Sequence, residues 1–159
     1  MGKQVDKTNR KTKMDKFNSE QKGIIGRYYE GGFPVIIKFV NELPAIDTQK
    51  RLTSLTVVSW KYDGSSNNGI PPKEINKKML VLEDALNETL EKTNLYFHAY
   101  SRTGNNLKEL VYYSKGLDVF MPLLNEALQS HESYPIDIAF YEDTEWTELK
   151  KLIEDFKEK

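Results

Sequence analysis

Apolar residues recur along this chain with two different periods, and the switches between them mark out an order of elements. Ile24 to Glu30 and Val35 to Val40 are β-branched and aromatic runs flanking Gly31-Gly32-Phe33-Pro34, which predicts a β-hairpin. A polar connector, Asn41 to Arg51, follows. From Thr53 to Tyr62, Thr56, Val58, Trp60 and Tyr62 alternate with Leu55, Val57, Ser59 and Lys61; this is a strand with both faces at least partly buried. Asp63 to Gly69 reads as a loop, and Pro71-Pro72 suits the opening of a helix. Ile75, Met79, Leu82, Leu86 and Leu90 then fall at spacings of three and four, one apolar stripe on a helix running to about Lys92. Leu95 to Arg102 and Leu107 to Ser114 predict a second hairpin around Thr103-Gly104-Asn105-Asn106. Leu117, Phe120, Leu124 and Leu128 stripe the next helix, with Asp118 as its N-cap. Tyr134 to Tyr141 alternates as the last strand. Asp143 or Thr144 caps a final helix with the stripe Trp146, Leu149, Ile153 and Phe156.

The order β-β-β-α-β-β-α-β-α predicts an α+β fold: a ferredoxin-like β-α-β-β-α-β unit preceded by a β-hairpin and followed by a C-terminal helix. The expected sheet is antiparallel, with the helices mainly on one face. Residues 1–20 read as a disordered basic lead-in and 21–159 as a single α+β domain.

Composition removes chemistry more readily than it suggests any. The chain has 159 residues, no cysteine, two histidines and a formal net charge of -1. Thiol nucleophiles, thiolate metal sites and iron–sulfur clusters are therefore excluded, as are sites needing several histidines. The longest strongly apolar stretches, such as Met79 to Leu82, are four residues, far short of a membrane span. Residues 1–16 carry six basic and two acidic side chains with no apolar core, unlike a secretory signal. The expectation is a cytoplasmic protein with no membrane association.

Several short segments resemble a known family. Trp60-Lys61-Tyr62-Asp63-Gly64, Gly69-Ile70-Pro71 with Leu82 to Leu86, Thr103-Gly104 with Glu109 to Tyr113, and Tyr141-Glu142-Asp143-Thr144-Glu145-Trp146 are similar to the bacterial family called domain of unknown function 695. The resemblance runs from about Ile24 to Phe156. It implies a ferredoxin-like bacterial domain with no established catalytic residues, sometimes joined to a domain similar to protein inhibitors of ribonuclease E. It thereby favours a regulatory or inhibitory binding role, by analogy.

Motifs for catalysis and cofactors do not assemble. There is no G-x-S-x-G elbow. His131, in Gln129 to Ser133, sits where a helix exit is predicted, and no second histidine follows at i+4. Gly23-x-x-Gly26 and Gly31-Gly32 lack the Lys-Ser or Lys-Thr of a phosphate loop. Asp63, Ser65, Asn67, Ile70 and Glu74 occupy positions of a calcium loop, but Asn68 stands where glycine is required and a strand enters it. No catalytic residue, cofactor or metal is expected. Asp137, central in an apolar strand, is either an open-face residue paired with a lysine or a functional acid.

The second hairpin allows a register to be written. With an even loop centred on Gly104-Asn105, Tyr100 faces Glu109, His98 faces Val111 and Tyr96 faces Tyr113. One face is then Leu95, Phe97, Ala99, Leu110 and Tyr112, expected under the helices. The other is Tyr96, His98, Tyr100, Glu109, Val111 and Tyr113, an amphipathic platform suited to docking a partner. If the N-terminal hairpin or the C-terminal helix covers that face, its tyrosines are core instead.

The leading expectation is a non-catalytic regulatory or inhibitory domain that binds another protein, itself a monomer or weak homodimer. The alternative is single-stranded RNA binding through sheet aromatics, against which stand the near-neutral charge and the missing Arg/Lys-Gly-Phe signature in Leu107 to Tyr113. An enzyme using His98 with Asp137 or Glu109 is the third reading.

Overall fold

Two tight turns determine how this sheet is built. Gly31 and Gly32 have φ of +54° and +88°, and Asn105 and Asn106 have φ of +49° and +67°. Two consecutive residues with positive φ twist the chain as a right-handed hairpin requires, and glycine and asparagine tolerate that conformation best. The first turn joins strands at Gly23–Glu30 and Phe33–Val40, and the second joins strands at Tyr96–Gly104 and Leu107–Ser114.

The computed structural model describes residues 4–6 and 23–157. Its strands are β1 (Gln4–Asp6), β2 (Gly23–Glu30), β3 (Phe33–Val40), β4 (Ser54–Lys61), β5 (Tyr96–Gly104), β6 (Leu107–Ser114) and β7 (Ile136–Glu142). They form one sheet in the order β1-β2-β3-β5-β6-β4-β7, every neighbouring pair antiparallel. The helices are α1 (Ile46–Arg51), α2 (Lys73–Leu90), α3 (Leu117–Leu128) and α4 (Thr147–Asp155). The fold is α+β. Of the basic lead-in, only Gln4–Asp6 are described, pairing with Ile25–Arg27; the rest lies outside the described residues. No helix among the described residues is long and apolar enough to cross a membrane.

Most of the expected elements are present with shifted ends. Two details differ. The polar connector contains α1, a six-residue helix with no buried residue of its own, followed by the fully buried Leu52. Asp118 lies in the first turn of α3, and Gly116, with φ of +116°, holds the N-cap position. The left-handed backbone there suits glycine better than the aspartate that sequence preference nominates.

The core lies on both sides of the sheet. On one side Leu86 and Leu90 of α2 and Phe120 and Leu124 of α3 pack against Val58, Leu110 and Tyr112. On the other, Trp146 and Leu149 meet Leu52, Ala99 and Tyr113, while Leu152 and Phe156 meet Ile24, Ile37 and Phe39. The expectation of helices mainly on one face is thus corrected: α4 crosses the opposite face, because its own apolar stripe has to be buried and the strands there offer an apolar floor. Gly26 makes room for its end, since a Cβ there would lie 2.4 Å from the Phe156 ring.

Candidate functional site

A β-bulge takes the predicted platform apart. Next to the turn, β5 and β6 pair Arg102 with Glu109 and Tyr100 with Val111; beyond a register shift between His98 and Tyr100, they pair His98 with Tyr112 and Phe97 with Tyr113. The turn is centred on Asn105-Asn106, one residue beyond the expected centre, so each residue's partner moves by two and the same residues stay on the same face. The extra residue at Ala99 reverses the alternation. Tyr96 and His98 therefore join Leu110 and Tyr112 beneath α2 and α3, and only Tyr100, Glu109, Val111 and Tyr113 remain together on the other face.

Two of those four are core. Val111 and Tyr113 are fully buried. Tyr113 stacks on Trp146 with centroids 3.7 Å apart and donates its hydroxyl proton to Asp143 Oδ2 at 2.7 Å. The Asp143 carboxylate also accepts the backbone N–H groups of Thr147 and Glu148, at 2.8 and 3.1 Å, which satisfies the start of α4. The Trp146 indole N–H donates to the Leu52 carbonyl at 2.8 Å. Burial and the Asp143 carboxylate push the Tyr113 hydroxyl well above its usual range, so it remains a donor. This interlock seats α4 over the face on which a partner was expected to dock.

Tyr100 and Glu109 line a groove that flanks the seated helix. Its floor is Tyr28 and Glu30 of β2, Ile37 of β3, Tyr100 and Arg102 of β5, and Leu107 and Glu109 of β6. Its wall is Glu148, Lys151, Leu152 and Asp155 of α4, spaced i, i+3, i+4, i+7 along one face. The volume is about 310 Å³, at the small end for a ligand pocket. Arg102, buried between the strands, donates from Nη2 to Glu30 Oε1 at 3.0 Å and from Nη1 to the Leu107 carbonyl at 3.3 Å, while its Nε finds no acceptor. The Tyr100 hydroxyl reaches Glu148 Oε1 at 3.4 Å. Burial raises the Glu109 carboxyl above the ordinary carboxylate range; Arg102 opposes this, and Glu30 and Glu148 add to it. Burial, then Glu148 and Glu109, push the Tyr100 phenol far up. Four carboxyl groups and two bases line the groove, and no serine, threonine or histidine does.

On the opposite face His98 is stacked on Tyr112, centroids 4.3 Å apart, with its Nε2 enclosed and unpartnered. Burial lowers its pKa to about 4; Glu83 of α2 pulls upward, Lys38 and Lys108 downward, and the Tyr100 backbone upward. Lys108 pairs with Glu83 at 3.4 Å. Glu109 lies across the sheet from His98. Asp137 shares a cross-strand row with Ser59 and Glu109, two strands or about 9.6 Å from Glu109, and is exposed at the sheet edge. The acids proposed as partners of His98 therefore do not converge on it. His131 Nδ1 lies 3.0 Å from the Tyr134 hydroxyl. In the loop resembling a calcium site, the Asp63 carboxylate accepts the Ser65 N–H at 3.0 Å, a local turn. Among the described residues, no cluster of three or more histidine or acidic side chains could hold a metal.

A family model described as a family of unknown function, DUF695, matches residues 30–150. The chain belongs to this family. No curated protein and no solved structure matches it. The DUF695 match takes in Glu30, Tyr100, Arg102, Glu109 and Glu148 of the groove, and the segments that resemble the family build the scaffold around it. Tyr62, Gly64 and Gly69 lock onto the β5–β6 turn: the Tyr62 hydroxyl donates to the Gly69 carbonyl at 2.7 Å, and the Gly64 N–H donates to Asn106 Oδ1 at 2.8 Å. Tyr113, Asp143 and Trp146 lock α4. Sequence reasoning found Tyr100 and Glu109 but missed Arg102 and the α4 wall, although Glu148, Lys151 and Asp155 already form a polar stripe beside the apolar one.

Proposed function

We propose that this chain is a non-catalytic binding domain that regulates or inhibits another protein, and that its contact site is the groove beside α4. The observation that carries the reading is the lining of that groove: two tyrosines under an excess of carboxyl groups. Aromatic faces and carboxylates together favour a cationic side chain, held by ring quadrupoles and charge-assisted hydrogen bonds. The occupant is a lysine- or arginine-bearing segment of the partner. The lining supplies no nucleophile of the serine, threonine or cysteine kind and no histidine base, which supports binding over catalysis. Stacked RNA bases would need open aromatic rings on one face, whereas Tyr113 is fully buried and Tyr96 packs under α2 and α3. We read β4 to β7 with α2 and α3 as the ferredoxin-like unit, supported by the order β5-β6-β4-β7, and place the protein in a bacterial cytoplasm.

The test is an amide-resolved NMR titration with short blocked peptides that carry arginine or, as control, glutamate, up to ~5 mM so that millimolar affinity registers. Arginine peptide should shift the signals of Tyr28, Tyr100, Glu109 and Glu148, and Glu109→Lys/Glu148→Lys should abolish the shifts. Equal shifts from both peptides, or none from either, overturn the proposal.

A further inference from the structure

The two ends of the sheet are unequal. At one end stands β1, three residues long; at the other stands β7, seven residues paired without interruption to β4 from Ile136↔Trp60 to Glu142↔Ser54. Among the described residues nothing pairs with the outer edge of β7. A long free edge presents a row of backbone donors and acceptors, and proteins ordinarily blunt such edges with lysine, proline, a bulge or short length. Ile136-Asp-Ile-Ala-Phe-Tyr-Glu142 has no lysine, no proline and no bulge, and its charges are the two acids Asp137 and Glu142. Its side chains remain accessible on both faces: Ile136, Ile138 and Phe140 are half-buried under α2 and α3, while Asp137 and Tyr141 are exposed on the face that α4 crosses, Tyr141 at 57%.

The strand can pair with a second copy of itself over its full length in one register. Two copies related by a two-fold axis normal to the sheet pair residue i with residue S minus i. Opposed residues share a face and faces alternate with period two, so S must be even. Full overlap of all seven residues centres the axis on Ala139. Asp137 then faces the partner copy's Tyr141, twice, and Ile138 faces Phe140, twice. Moving the axis to Phe140 sets Asp137 against Asp143 in both copies, and moving it to Ile138 draws Pro135 toward the ladder. The centred register pairs all seven residues, joins hydroxyl to carboxylate and Ile138 to Phe140 with no like-charge pair, and leaves Ile136 opposite Glu142 at each end. We propose that β7 is a homodimer interface: two copies of this chain pair antiparallel through β7 about Ala139, making one continuous sheet that leaves both α4 grooves open on the same face.

The chain has no cysteine, so one introduced thiol reports one contact. Opposed Cα atoms on the axis lie roughly 4.5–5.5 Å apart, within disulfide reach. Ala139→Cys should form a disulfide dimer under mild oxidation, and Leu80→Cys, exposed on α2 at 45%, should form far less. Sedimentation velocity of the unaltered chain from ~1 to ~200 μM should show a monomer–dimer equilibrium. Because Tyr141 is exposed, its variants leave the monomer fold intact. Tyr141→Glu, which places an acid against Asp137 twice, should raise the dimer Kd at least tenfold, while Tyr141→Lys should preserve or tighten it. A chain that stays monomeric throughout, equal cross-linking of the two cysteine variants, or equal Kd values for Tyr141→Glu and Tyr141→Lys overturns the proposal. Each readout is independent of whether the groove binds a cation.

Discussion

Ala99 adds one residue to β5 opposite β6 and thereby decides which side of the sheet Tyr96 and His98 face. Bulges re-aim side chains in this way without altering composition or periodicity enough to be read in one strand alone. The consequence for His98 is energetic. Its imidazole sits in the packing of Tyr112, near Glu83, Lys38 and Lys108, with a folded pKa of about 4 against an ordinary 6.5. Between those values the unfolded chain binds more protons than the folded one, so stability is complete above about pH 6.5 and declines as the pH falls toward 4. The loss reaches at most ~3 kcal/mol. Urea midpoints taken from pH 7 to 4 should fall less steeply in His98→Phe than in the unaltered chain; parallel curves would remove His98 as the cause. Gly104 shows the same scale of control in the backbone, because a Cβ there would lie 2.3 Å from the Pro34 carbonyl oxygen.

At the scale of elements, α4 determines what the sheet offers to a partner. Its start is held by the Asp143 carboxylate, the Tyr113 hydroxyl and the Trp146 indole, and its end by Phe156 over Gly26. Trp146 is fully buried and stacked on Tyr113. Trp146→Ala should cost about 3–5 kcal/mol, as large-to-small changes at buried aromatic positions do, and should speed amide exchange in β5 and β6 as α4 lifts. Unchanged exchange in those strands would mean that α4 is held without the tryptophan. The helix therefore serves twice, as cover for the apolar strands and as the polar wall of the groove.

For the whole molecule, the net charge of -1 averages over uneven parts. Residues 1–16 are net +4 and residues 142–159 net -3. Folding brings Glu148 and Asp155 from that acidic end alongside Glu30 and Glu109. A cation bound there is held partly by exposed charge, so the arginine peptide should bind several-fold more weakly at 0.5 M salt than at 0.05 M, where screening is far less; an affinity indifferent to salt would point to apolar contact alone. The β7 edge belongs to this scale as well, since it is the strand order that places β7 at the end of the sheet among the described residues.

The order of the main elements, both hairpins, the stripes of α2 and α4 and a role for Asp143 at the start of α4 were legible in the sequence, although Trp146 rather than Asp143 holds the N-cap position itself; each depends on residues within a few positions of one another. Periodicity, positive-φ residues and caps are local physics. The bulge at Ala99 and the meeting of Glu30, Tyr100, Arg102, Glu109 and Glu148 were not, and for the cover of the second face the sequence offers two candidates, the first hairpin and α4, without choosing between them. They depend on which surfaces remain to be buried once the strands have paired, a question of shape and contact between distant segments. The sequence alone determined that this is a cysteine-free chain of α+β class; the tertiary structure decided that Tyr112 and Tyr113 are core while Tyr100 lines an open polar groove, because that depends on how distant segments pack.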